Sequence, residues 1–198
     1  CHETVLRRLG LDSLQWPRIC DDFAPGGEIP IGGRNVPCHP TVGDHQASLL
    51  GAGLQQGELS INIATGSQAS MLDATGAAGD FQLRPFFDGG FLRTITHLPA
   101  GRALNALIGL LTELAEKPVA DPWKRIADAV EFGGGPDIAA DVSFFPCATG
   151  HEGSLLHLTE ENLHIGPLFR AVFEALSGNY DHAARRLAPE RNWSRVVF

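Results

Sequence analysis

Apolar and polar residues alternate from Leu59 to Ile63, the period of two that marks a strand with one buried face. Gln68–Leu72 and Leu83–Phe87 are the next strand candidates, and Phe91–Leu98 follows the turn at Asp88-Gly89-Gly90. The period then lengthens. Leu104, Leu107, Ile108, Leu111 and Leu114 recur at spacings of three and four, which predicts an amphipathic helix from Gly101 to Glu116, ended by Lys117-Pro118. Asp121–Val130 reads as a second helix, stopped by Gly133-Gly134-Gly135-Pro136, and Val142–Phe145 as a short strand before Pro146. Thr159 is placed to cap a helical turn, and Pro167 to open the next helix at its first position. That helix would pass Leu168, Phe169, Val172, Phe173 and Leu176, break or kink near Gly178 and continue to Leu187, with Val196-Val197-Phe198 starting a last strand. Mixed elements of this kind predict a layered α/β domain.

The segment before Leu59 is different. Glu3–Leu9 reads as a helix end with Gly10 as its stop, followed by Trp16-Pro17 and the loop Ala24-Pro25-Gly26-Gly27. Glu28–Pro40 is rich in Gly and Pro and reads as short strands and turns, while His45–Leu54 suits a short, close-packed helix. These residues carry too few apolar side chains for a core of their own, so they read as the tail of an upstream domain. The chain starts at Cys1, its single Met is Met71, and it stops just after Trp193–Val197, a stretch with the look of a buried strand. The sequence therefore reads as a fragment of a longer protein, with one domain ending at residue 54 and the next running from 55 to 198.

Composition narrows the function. With 15 basic and 23 acidic residues the formal charge is −8, which argues against a nucleic-acid or anionic-membrane surface. No apolar run approaches the roughly 18 residues of a membrane helix, and no signal peptide is seen. Cys1, Cys20, Cys38 and Cys147 lie far apart, without a CxxC pair, which fits a reducing cytoplasm better than a disulfide framework. Cys38-His39 and Cys1-His2 lack a second pair at zinc spacing, and His97, His151, His157 and His164 do not fall at ligand spacings either. No GxxxxGK[ST] loop is present, so a nucleotide site would need another architecture.

The candidate chemistry concentrates between Thr41 and Met71. Asp44 stands between Gly43 and His45-Gln46, where a carboxylate would accept a hydroxyl proton as the oxygen attacks a phosphoryl group. As a dipeptide, Gly43-Asp44 equally fits an ordinary turn. Thr65-Gly66-Ser67 ends the predicted strand and would offer N–H groups and a hydroxyl to a phosphate, or form a plain β-turn. Gly101 opens a helix, so its N–H would point at an anion, unless Gly101 is simply a loop residue.

Taken in order, GDHQAS, NIATGSQ, RPFFDGG and LPAGRALNALIGLL resemble the FGGY carbohydrate kinase family, most of all its sedoheptulokinase-type members, over Glu3 to Phe198. The helix end Glu174-Ala175-Leu176-Ser177-Gly178-Asn179-Tyr180 is similar to an EGxxxNY pattern of those members. The resemblance implies an actin-like ATPase, ribonuclease-H-like α/β fold, incomplete in this chain, with the active site in a cleft between two domains. It implies that Asp44 is the catalytic base with His45 beside the sugar. Thr65, Gly66, Gly101 and Asn105 would contact ATP, which acts with Mg²⁺. Sugar and ATP would be the partners, without nucleic acid or membrane, and a homodimer is an admissible assembly.

The sequence also departs from the family. Gly150-His151-Glu152-Gly153 stands where many relatives carry Gly-Glu-Arg, and the upstream phosphate motif and the glycine-rich adenosine motif fall outside Cys1–Phe198. The leading reading is a sugar kinase, with sedoheptulose as a candidate substrate and the fragment inactive alone. A non-catalytic sugar- or nucleotide-binding module on the same scaffold is the alternative.

Overall fold

The alternation at Leu59–Ile63 becomes the middle of a sheet in the computed structural model, which describes residues 3–16, 24–130 and 138–198. Cys1-His2, Pro17, Cys20 and the Gly133–Pro136 stop lie outside the described residues. The chain divides into two compact units, Cys1–Ser48 and Leu49–Phe198, a division that falls ahead of residue 54.

The first unit contains helix α1 (Glu3–Arg8), strands β1 (Gly27–Ile31) and β2 (Arg34–Cys38), and the start of helix α2 (Asp44–Gly51). β1 and β2 pair antiparallel from Gly27↔Cys38 to Ile31↔Arg34. Gly32 and Gly33 join them at φ of 56° and 76°, the double positive φ that a two-residue hairpin turn with the native twist requires. Every residue of both strands is exposed, and His45 is the one buried residue among those described in this unit.

The second unit holds β3 (Glu58–Ile63), β4 (Ser67–Asp73), β5 (Gln82–Pro85), β6 (Phe91–Leu98), α3 (Gly101–Thr112) and α4 (Pro122–Ala129). It continues through β7 (Ala139–Asp141), β8 (Ser154–Leu156), α5 (Ile165–Leu187) and β9 (Arg195–Val197). Five strands form one sheet in the order β5-β6-β4-β3-β9. β3, β4, β6 and β5 are antiparallel neighbours, whereas β9 returns parallel to β3 by way of α5, as a parallel partner requires a long crossover. One sheet face presents Leu59, Ile61, Ala69, Met71, Ile95 and Leu98 to Ala183, Ala184 and Leu187 of α5. On the other face Leu92 and Leu72 pack with Leu49 and Leu54. Beside them Ser60, Ser70 and Thr94 lie in register and are all buried, with the Ser70 and Thr94 hydroxyls 2.8 Å apart. A buried hydroxyl must find a partner, so this row holds the three strands in one alignment.

The N-terminal half of α5 makes a second core. Phe169, Val172 and Leu176 meet Ala103 and Leu107 of α3, Ile126 of α4 and Val142. Each large side chain removed from water here contributes about 1.5–3 kcal/mol.

Several sequence expectations shift. Val142–Phe145 is not a strand: the strand is Ala139–Asp141, paired with Ser154–Leu156. The Asp141 carboxylate accepts the Ser143 N–H at 2.9 Å and turns the chain out of the ladder. α3 stops at Thr112, short of the expected Glu116, and of its apolar stripe Leu107 is buried whereas Leu111 and Leu114 are exposed; the Thr112 hydroxyl bonds back to the Ile108 carbonyl at 2.8 Å. α5 starts at Ile165, which puts Pro167 at its third position, still inside the first turn where a missing N–H costs little. It runs through Gly178 to Leu187 as one helix. The Thr159 turn is tied through Asn162, whose Oδ1 accepts the Thr159 N–H at 2.8 Å. β9 is more exposed than its composition suggests, with Val196 at 36%.

Candidate active site

β3 and β4 are joined by a loop of three residues, Ala64-Thr65-Gly66, after the last cross-strand pair Ile63↔Ser67. The Ala64 N–H closes the loop on the Gly66 carbonyl at 3.1 Å. Behind it the Ser67 hydroxyl donates to the Asn62 carbonyl. The Tyr180 side chain of α5 packs against the core with its hydroxyl buried and without a hydrogen-bond partner among the described residues, and burial pushes its phenol above the usual value. The base of the turn is thus fixed while its tip faces solvent. Thr65 and Gly66 are exposed, and the Thr65 hydroxyl makes no hydrogen bond among the described residues.

The chain then returns through β4, β5 and β6 and delivers the start of α3 to this turn. The Gly101 N–H donates to the Ala64 carbonyl at 3.1 Å, and the Arg102 N–H to the Thr65 carbonyl at 2.9 Å. The next two amides, of Ala103 and Leu104, donate to Ala100 at 2.9 and 3.2 Å. Those of Gly101, Arg102 and Ala103 are among the amides that a helix start ordinarily leaves free for an anion, and here all three are used within the chain. The sequence reading that aims the Gly101 N–H at an anion is therefore corrected. Gly101 serves close approach: a Cβ there would lie 2.9 Å from the Ala64 carbonyl oxygen and 3.5 Å from the Thr65 Cα.

Thr65, Gly66 and Gly101 are thus brought together, and Asn105 follows one turn along α3, exposed and without a side-chain partner among the described residues. Asp44 and His45 belong to the other unit. Asp44 is the first residue of α2 and is exposed; its Oδ1 accepts the N–H of His45 at 2.7 Å. The His45 side chain is buried, at 8% exposure.

Two further side chains were given no role by the sequence reading. Arg102 is exposed, and its guanidinium carbon stands 4.3 Å from the centre of the Phe145 ring; its place directly after Gly101 was the available signal. Cys147 opens the loop at Gly150–Gly153. Its N–H bonds the Gly150 carbonyl at 2.8 Å, and the next amide, of Ala148, docks on the His97 carbonyl at 2.9 Å. Burial pushes the Cys147 thiol up, but hydrogen bonds from Thr149 and Ser143 outweigh this and hold it below its usual value. Beyond it His151 and Glu152 form an exposed pair at 3.7 Å.

No three His, Cys, Asp or Glu side chains gather as a metal-ligand group among the described residues. The donors on the turn, a hydroxyl and backbone amides, suit phosphate oxygens and not a cation. A Mg²⁺ ion bound mainly through phosphates and water needs no protein cage.

The sheet order, with four antiparallel strands and a parallel fifth, defines an actin-like ATPase fold of the kind found in sugar kinase domains. Solved structures similar to the chain include a xyloylose kinase from Brucella ovis, at TM-score 0.75 and 16% identity over 98% of this chain and 43% of that one. A xylulose kinase from Rhodospirillum rubrum matches at TM-score 0.67 and 22% identity over 80% of this chain and 33% of that one. Plasmodium falciparum glycerol kinase with ADP matches at 0.59 and 13%, over 83% and 35%. The chain thus spans 33 to 43% of the length of these structures. No family model matches it, and neither does any curated protein.

Proposed function

We propose that the protein to which this chain belongs transfers a phosphoryl group from ATP, as its Mg²⁺ complex, to a hydroxyl of a sugar. The observation that carries this reading is the exposed Thr65-Gly66 tip, with its unpaired hydroxyl, seated against the start of α3 on an actin-like fold. Thr65 and Gly66 would hold the phosphates, and the nucleotide would contact Gly101 at the start of α3 and Asn105 further along the helix. Asp44 would accept the proton of the attacking hydroxyl, and His45 would line the sugar side. Held by the His45 N–H, the Asp44 carboxylate keeps one oxygen in a fixed direction, as a general base needs. Positioning and charge neutralisation then supply most of the rate. The NIATGSQ strand and the Glu174–Tyr180 helix segment favour a ketose such as sedoheptulose, phosphorylated at its primary hydroxyl.

The test is Asp44→Asn in the full-length protein, assayed with ATP and a panel of ketoses. Loss of turnover by about 10³-fold or more, with ATP binding kept, supports the reading. Near-normal turnover removes Asp44 from the mechanism. Binding of ATP and sugar by the unaltered protein without product would make it a binding module.

A further inference from the structure

Phosphates bound at the Thr65-Gly66 tip need compensating charge, and the start of α3 cannot supply it through free amides, because Gly101, Arg102, Ala103 and Leu104 all donate to carbonyls of the chain. A cationic residue is fastened to the tip: the Arg102 N–H is bonded to the Thr65 carbonyl at 2.9 Å. Its guanidinium rests on the Phe145 ring, with no ion pair or side-chain hydrogen bond among the described residues. Arg93, Arg186 and Arg195, by contrast, are each paired with a carboxylate. A ring face restrains a guanidinium without using its N–H donors, so all five stay available to an acceptor. In a chain of net charge −8, such an unpaired cation is placed for anions rather than for solubility.

We infer that Arg102 is a nucleotide-binding residue that neutralises the phosphate chain held by the Thr65-Gly66 turn, with Phe145 as the platform from which its guanidinium reaches the phosphates. This rests on the kinase reading of that turn. Arg102 acts on the phosphates alone, so it discriminates between nucleotides and nucleosides.

The experiment is calorimetry on the full-length protein with ADP and with adenosine as probes, comparing the unaltered chain, Arg102→Gln, Arg102→Lys and Thr65→Ala. ADP affinity falls about 10-fold in Arg102→Gln, recovers partly in Arg102→Lys, and depends less steeply on salt once the cation is gone, while adenosine affinity stays the same. Arg102 is exposed, so the thermal midpoint of Arg102→Gln stays that of the parent and loss of fold is not a confounder. ADP affinity within twofold of the parent in Arg102→Gln, with Thr65→Ala weakened, overturns the role of Arg102 alone. Absence of ADP binding by the unaltered protein, or an unweakened Thr65→Ala, overturns the turn as phosphate site and this inference with it. Equal loss of ADP and adenosine binding in Arg102→Gln also overturns it, since the residue would then shape the pocket rather than meet the phosphates.

Discussion

Glu58 and Arg195, separated by 137 residues of chain, form a two-pronged ion pair, with Nε to Oε1 at 2.8 Å and Nη2 to Oε2 at 2.9 Å. They are also Cα partners in the β3–β9 ladder, so the pair marks the register of the parallel crossover. The hydrogen bond from Arg195, helped by the Gln55 N–H, holds the Glu58 carboxyl below its usual value. A carboxyl depressed on folding stabilises the native state above its unfolded pKa, and that contribution disappears as pH falls through the folded one. Stability is therefore flat in this contribution from neutrality to about pH 4.5 and declines below it. Urea midpoints measured from pH 7 to pH 3 should fall less in Glu58→Gln than in the parent. A parallel decline in both proteins would remove the pair from the account.

Two glycines in helices should respond in opposite directions to alanine. At Gly101 a Cβ meets the Ala64 carbonyl oxygen at 2.9 Å, and the backbone there cannot yield without moving the turn. Overpacking of this kind costs about 1–3 kcal/mol, more than the fraction of a kcal/mol that helix propensity returns at a first-turn position. At Gly178 a Cβ meets open space in the middle of α5. Gly178→Ala should stabilise by about 0.5–1 kcal/mol, and Gly101→Ala should destabilise by about 1–2 kcal/mol, both read from urea unfolding.

Thr65→Ala separates function from folding. Because the hydroxyl is exposed and unpaired, its removal should leave the unfolding midpoint within error. A hydrogen bond to a charged phosphate is worth about 1.5–3 kcal/mol, so kcat/KM for ATP should fall roughly 10- to 100-fold in the full-length protein. A large drop in stability would show instead that Thr65 holds the hairpin.

Phe169 is fully buried among side chains from α3, α4 and Val142, with the Phe173 ring centre 6.1 Å away. Phe169→Ala should cost about 3–5 kcal/mol, on the scale of a whole domain's stability margin. A cost below 1 kcal/mol, by the same unfolding assay, would mean that this second core is loosely packed.

The strands were legible because the β3 sequence alternates and β6 follows a glycine turn, both local signals; which faces are buried was not, since β3 buries both faces over Glu58–Ile61 and leaves Asn62 and Ile63 exposed. Legibility failed where a side chain outcompeted the pattern. Asp141 captures the Ser143 amide and ends a strand that Val142 and Phe144-Phe145 would have continued. Thr112 binds back onto α3 one turn before the apolar stripe runs out. β7 and β8 have three residues each, too few for any period to register. For the site, the strand ending at Thr65 could be read from its residues. That Gly101 touches it could not, since the contact joins residues 37 apart in the chain, Gly101 to Ala64 and Arg102 to Thr65, through two amide bonds that side-chain chemistry does not encode.

Those two amide bonds have a mechanical consequence. With Gly101 and Arg102 pinned to Ala64 and Thr65, the tip of the hairpin cannot shift by itself. From this junction α3 runs for 12 residues, about 18 Å, to the exposed Leu110 and Leu111 and, just past its end, Leu114. The hairpin tip and the start of the helix are therefore held at one spacing, and because Ala103 and Leu107 are buried in the second core, whatever meets the tip meets a platform already anchored there.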